Sequence, residues 1–157
     1  MSSIQDFADK YESATKYFEN LVNSLKPTDL DTKAPGEWSA RQIIHHMADS
    51  EAQSYARLRR LLAEPEGSII QGYDEGAWAK SKNLGYEDLE TTHSFAVTIS
   101  VRNASADLIR RMSMADLEKF GTHTERGKFT ISDWLKAYSN HPFDHGAQLE
   151  RAVKGLP

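Results

Sequence analysis

The sequence predicts an all-α protein built as a four-helix bundle, and three observations predict it. Four segments of roughly 20 to 27 residues repeat their apolar side chains at steps of three and four, the spacing of one helix face. Two of them open on a Ser or Thr followed three residues later by Gln or Asp, the pattern of a capped helix start. Between the segments lie polar connections carrying Gly and Pro. The length of 157 residues suits one domain spanning 1–157.

The first helix is read over residues 3 to 25, where Ile4, Phe7, Tyr11, Ala14, Phe18, Leu21 and Leu25 share a face. It stops before Pro27, and PTDLDTKAPGE forms a loop. Ser39 with Gln42 opens the second helix, which runs to about Ala63. A long connection follows, with a short helical turn expected around Glu75 to Lys80; connections this long are often functional. The third helix is read from Tyr86 to about Met112, with Leu89, Phe95, Ile99, Ala106 and Ile109 in register. Val97, Ile99 and Val101 alternate as a strand would, but a lone strand would have nothing to pair with. After a connection to about Phe129, Thr130 with Asp133 opens the fourth helix, which carries Ile131, Leu135, Tyr138, Pro142, His145, Leu149 and Ala152 on one stripe.

Composition narrows the function classes. The net charge of -4 comes from interspersed acids and bases without a block of like charge, a poor surface for nucleic acid. The clusters Arg57 to Arg60 and Arg110-Arg111 stand beside Leu in helical sequence, where long stems commonly cover apolar surface with their heads in water. There is no cysteine, which removes disulfides, thiolate ligands and a cysteine nucleophile. No basic start with an apolar core marks a signal peptide, and no 18-residue apolar run marks a membrane span, so the expected location is cytoplasmic.

Four of the six histidines sort by helix geometry. At about 100° per residue, His46 lies roughly 60° from Ile43, on the edge of the apolar stripe of the second helix, and faces inward. His45 lies about 200° from Ile43 and is expected on the solvated side. His141 and His145 form an HxxxH pair one turn apart on one helix face, a spacing that can chelate a divalent ion through neutral imidazoles. HxxxH alone is a weak motif, and the alternative is a pair of core-edge histidines bonded to carbonyls or carboxylates. A third inward histidine on another helix favours a metal, and three ligands leave coordination positions open, as in catalytic sites. Pro142 inside the pair removes one backbone hydrogen bond and crowds the Tyr138 carbonyl, so a bend or restart is expected there.

The stretches WSARQIIHHMADSE (38–51) and YDEGAWA (73–79), Arg102 in the third helix, and GTHTERGKFTISDWLKAYSNHPFDHGAQLERA (121–152) together resemble the DinB-like superfamily, which includes YfiT-type metal-dependent hydrolases and bacillithiol transferases. The resemblance covers nearly the whole chain. It implies a four-helix bundle, commonly a homodimer, holding a divalent ion on three histidines that fall on His46, His141 and His145. Zinc or nickel suits such imidazole ligands, with manganese or iron as further options. The better understood branches use a low-molecular-weight thiol as cosubstrate, and the missing cysteine fits either a borrowed thiol or a bound water. His123 in the GTHTERG loop matches a recurring loop histidine and becomes a candidate on the substrate side or behind a ligand.

Further residues are candidates near the site. Arg102 interrupts an apolar stripe and needs an acidic partner or an anionic ligand, so it is a structural ion pair or a clamp on a substrate carboxylate. Tyr73 and Trp78 in the long connection, next to Asp74, can line the mouth of a cavity or plug it. Asp144 is close enough in sequence to orient an imidazole, as is Asp49, although facing argues against Asp49 as the partner of His46. The expected function is activation of a low-molecular-weight thiol or of water against a small electrophilic substrate, giving S-transfer or hydrolysis, with neither nucleic acid nor membrane as partner. The alternative is a non-catalytic bundle that binds a small ligand or partner and whose histidines are structural.

Overall fold

The computed structural model describes residues 3–157. In chain order its helices are α1 (Ile4–Asn23), α2 (Ala40–Ala63), the short α3 (Glu75–Lys80), α4 (Thr92–Arg111) and α5 (Ile131–Ala152). Helix starts follow cap chemistry. Ser3 with Asp6, Ser39 with Gln42 and Thr130 with Asp133 each close a capping box that satisfies otherwise unpaired N-terminal amides. The Asp74 carboxylate caps α3 through the Ala77 amide at 2.8 Å, which gives this loop acid a structural task.

The third long helix starts later than its periodicity predicts, at Thr92 and not Tyr86. Gly85 turns the chain in the left-handed region at φ 62°, and the Leu89 carbonyl accepts from Arg41 Nη1 at 2.8 Å instead of from a helical amide. Leu89 therefore lies outside the helical register and is exposed. Val97, Ile99 and Val101 are helical, as the absence of a pairing partner predicts.

Around the bundle, α1 packs on α4 and α5, and α2 packs on the same two helices. Helices consecutive in the chain, α1 with α2 and α4 with α5, thus sit mainly across the diagonals. A diagonal step needs a long connection, which segments 24–39 and 112–130 supply.

Those connections hold more order than the sequence suggests. A three-stranded sheet pairs β1 (Ile69–Ile70) in parallel with β2 (Phe120–His123), and β2 antiparallel with β3 (Gly127–Thr130). The β2–β3 hairpin closes through Thr124, Glu125 and Arg126, with Gly127 at φ 72°. A three-residue turn ending in a left-handed glycine is a standard hairpin connection. Gly121 lets β1 approach, because a Cβ there would lie 2.7 Å from the Ser68 carbonyl oxygen. Arg57 and Arg60, expected to hold their heads in water, instead donate to the β1 segment at the Gln71 and Ile69 carbonyls, each at 2.8 Å.

The core is divided. One apolar cluster contains Tyr11, Leu58, Ile109, Trp134 and Leu135, and another contains Phe18, Ile43, Ile44, Met47 and Leu149. Every long helix carries buried polar groups between its contributions to the two: Thr15 on α1, Ser50, Glu51 and Ser54 on α2, Thr98, Arg102 and Ser105 on α4, Ser139 on α5. The functional candidates lie in this polar layer.

Candidate metal centre

His46 projects from α2, and His141 and His145 project from α5, so that one ring nitrogen of each lies within 4.8 Å of the other two. His46 is buried, as its angle to Ile43 predicts. Its Nε2 lies 3.1 Å from His145 Nε2. Two nitrogens each about 2.1 Å from one ion, at tetrahedral or octahedral angles, stand roughly 2.9–3.4 Å apart, so this pair already has the required separation.

Hydrogen bonds set the ring tautomers on α5. The His141 Nδ1 is 3.2 Å from a Glu51 carboxylate oxygen, and the His145 Nδ1 is 2.8 Å from the Gln148 side-chain oxygen. Both oxygens only accept, so each Nδ1 carries the proton and each Nε2 offers a lone pair toward the cluster. His46 Nδ1 has no partner. The donor set of three imidazoles, two of them oriented from behind, fits a divalent ion with open positions.

Electrostatics keeps His46 and His145 neutral. Burial, reinforced by the neighbouring imidazoles His145 and His141, pushes the His46 pKa down to about 3. Burial and then His141 push His145 down to about 4. Neutral imidazole is the form that binds metal, so His46 and His145 need no deprotonation near neutral pH. The same shifts make the metal-free fold sensitive to acid. Between pH 6.5, the ordinary imidazole value, and about 4, the unfolded chain binds protons that the folded chain refuses, so stability falls as pH falls. Urea midpoints of the metal-free protein should drop steadily across this window, and a flat profile would contradict the burial of these rings.

Glu51 is the residue that periodicity overlooked. Burial alone would raise its pKa, but the Arg102 guanidinium, aided by the His141 contact, outweighs that and holds it below the usual carboxylate value. Arg102 Nη1 donates to Glu51 at 2.7 Å and to the Tyr138 carbonyl at 3.1 Å. Its Nη2 donates to the Tyr11 carbonyl at 3.1 Å and its Nε to Thr15 Oγ1 at 2.7 Å, while the guanidinium carbon sits 3.9 Å from the centre of the Tyr11 ring. With its side chain fully buried and its donors engaged by protein, Arg102 forms an internal ion pair and not a clamp open to a substrate. Pro142 takes part in this arrangement. Helix α5 continues unbroken through it, and the Tyr138 carbonyl that Pro142 cannot serve is taken by Arg102.

Other expectations change in detail. His45 is buried and not solvated: its Nε2 is 3.2 Å from the Leu89 carbonyl and its Nδ1 2.8 Å from Ser94 Oγ. The late start of α4 lays residues 86–94 over the polar side of α2, which periodicity of α2 alone does not show. Asp144 is exposed and touches neither imidazole through a hydrogen bond; one residue before His145, it points about 100° away from that ring. Asp49 accepts from the Tyr86 hydroxyl at 2.6 Å and takes no part in the cluster. Tyr73 and Trp78 pack on each other with ring centres 4.7 Å apart. His123 is buried on β2 and reaches the same small cavity as His141.

That cavity, of about 110 Å³, is lined by Ser50, Arg57, Glu75, His123, Arg126, Phe129, Ala137, Tyr138 and His141. Arg57 was also legible in principle. It lies eleven residues after His46, about 20° away on the helical wheel, and therefore on the side of α2 that carries His46.

The sequence matches the DinB superfamily profile over residues 10–149. A protein of Oceanobacillus iheyensis named "Putative metal-dependent hydrolase" is 30% identical over 152 residues, 96% of this chain and 86% of that one. One of Bacillus cereus with the same designation is 29% identical over 154 residues, covering 98% and 84%. The solved structure of YfiT from Bacillus subtilis, titled "a probable metal-dependent hydrolase with an unusual four-helix bundle topology", superposes with a TM-score of 0.86 at 24% identity, over all of this chain and 91% of that one. With its profile match running from residue 10 to 149, the chain belongs to the DinB superfamily.

Proposed function

We propose that the protein is a metal-dependent hydrolase of a small substrate, with His46, His141 and His145 holding the ion. The observation that carries this reading is the convergence of three imidazoles at the edge of a cavity, two with a proton fixed on the far side of the ring. The names of the relatives agree with it. A divalent ion held there supplies Lewis acidity, which lowers the pKa of a coordinated water or thiol and polarises a carbonyl or similar group.

The chain's own residues have assignable tasks. Glu51 and Gln148 keep the His141 and His145 lone pairs aimed at one point. Trp38 lies against His46, with ring centres 5.1 Å apart, and shields that side of the cluster from water. The His141 side opens on the cavity, so substrate approaches past Ser50, His123 and Tyr138. With no cysteine in the chain, a thiol reaction at the same site needs a diffusible thiol, and transfer to such a thiol is the second reading.

Metal-free protein should show no hydrolysis of ester and amide panels, and one equivalent of zinc or nickel should restore it. Product analysis with and without added low-molecular-weight thiols separates the two reactions. Activity that survives chelation, or a fully loaded protein that turns over neither class, would overturn the proposal.

A further inference from the structure

We propose that the cavity beside His141 is a subsite for a compact oxyanion of the substrate, a carboxylate or a phosphate-type group, gripped by Arg57, Arg126 and His123. This builds on the metal-centre reading, since it names the substrate class which that centre would serve.

The argument starts from the donors around the cavity. Arg57 Nη1 donates to the Tyr138 hydroxyl at 2.8 Å and Nη2 to the Gln71 carbonyl at 2.8 Å, both neutral acceptors, while its Nε is buried without a partner. Neither Arg57 nor Arg126 forms an ion pair with a carboxylate among the described residues. Two positive charges therefore stand beside the cavity without direct neutralisation. The Tyr138 oxygen accepts from Arg57, which frees its own proton to point elsewhere.

His123 adds an oriented donor. The Glu125 backbone amide donates to its Nδ1 at 3.2 Å, so a neutral ring carries its proton on Nε2. Burial first, and then the positive fields of Arg57 and Arg126, hold the His123 pKa below its ordinary value. The ring thus senses both guanidinium groups and remains a neutral N–H donor near pH 7. Ser50 contributes a hydroxyl to the same wall.

The opposing charges are few. Glu75 lines the cavity, and Glu125 lies close enough to His123 to act on it, but it acts less strongly than either arginine. A wall of guanidinium, imidazole N–H and hydroxyl donors selects a group with several acceptor oxygens and negative charge. The 110 Å³ space admits only a small one, roughly the volume of four waters. An outer groove of about 430 Å³ shares Arg126, Phe129 and Ala137 with it and carries Lys128 and Lys136 together with Asp133 and Asp144, a wall of mixed charge with room for the remainder of a larger molecule.

The test is calorimetric titration of metal-free, full-length protein with inorganic phosphate and, separately, with acetate. Binding of at least one is expected, weakened about tenfold in Arg126→Ala, with thermal melting unchanged because Arg126 is exposed, and weakened less in His123→Gln, which retains an N–H donor. Lys136→Ala, confined to the outer groove, should bind as the parent does. The tighter of the two anions identifies the oxyanion class. Absence of binding by both anions, indifference to Arg126→Ala and His123→Gln, or an equal loss in Lys136→Ala would overturn the subsite. Zinc titration of the same variants keeps the two readings apart. A parent that binds anion but no metal defeats the metal centre alone, and one that binds metal but no anion defeats the subsite alone.

Discussion

Replacing His46 by alanine is expected to lower divalent-metal affinity by roughly 100- to 1,000-fold, taking an even share of the ~10–16 kcal/mol that four-ligand zinc sites supply. His46 is the histidine that α2 brings to the cluster, and its loss leaves the His141–His145 pair on α5. The polar hole left behind is enclosed by Trp38 and by its former partners, so no nearby carboxylate takes over. Metal content of protein purified without an affinity tag, with zinc affinity measured by chelator competition, reads the result directly. His145→Ala should behave similarly, whereas Gln148→Ala, which only releases a ring from behind, should cost roughly tenfold. Stoichiometric metal retained in His46→Ala would show that the ion binds elsewhere.

The second large effect is on stability. Arg102→Met leaves the Glu51 carboxylate buried without its counter-ion and opens the Tyr138 and Tyr11 carbonyls, a change expected to destabilise by about 3–5 kcal/mol. For a chain of this length that corresponds to a fall of roughly 6–20 °C in melting temperature. Adding Glu51→Gln to Arg102→Met removes the stranded charge, so the double variant should recover part of the loss while binding metal less tightly than the parent. Urea unfolding of the parent, both single variants and the double variant gives the coupling energy. Additive effects would mean that Glu51 and Arg102 act independently, contrary to their 2.7 Å contact.

The long helices were legible because their signals are local. Ser39 with Gln42, Thr130 with Asp133, and the three-four spacing of apolar residues fix starts and faces without reference to the rest of the chain. His46, His141 and His145 share that advantage, since each facing follows from one helix. The start of α4 was misplaced because it depends on a tertiary event, the capture of the Leu89 carbonyl by Arg41 and His45 from α2. His45 was misplaced for the same reason. Arg102 announced its need for an acid, but three helices had to be assembled before Glu51 could be named. The sheet was missed for a different reason: β1 is two residues long, and its partner arrives some fifty residues later. The turn ahead of Gly127 carried a hairpin signal that was available in the sequence.

The polar layer that divides the apolar core also restricts how the helices can slide. Two apolar clusters stacked along the bundle could in principle accommodate a shift of one helix by a turn, about 5.4 Å, by exchanging one apolar neighbour for another. Such a slip of α5 would carry its proline gap away from Arg102 and His141 away from Glu51, while the Arg102–Glu51 pair between α4 and α2 stayed in place. The layer therefore acts as a vernier mark, legible only when α1, α2, α4 and α5 are aligned to within a fraction of a turn. The same alignment brings histidines from α2 and α5 to a common point, so the assembled chain cannot be correctly folded and have its ligands out of step.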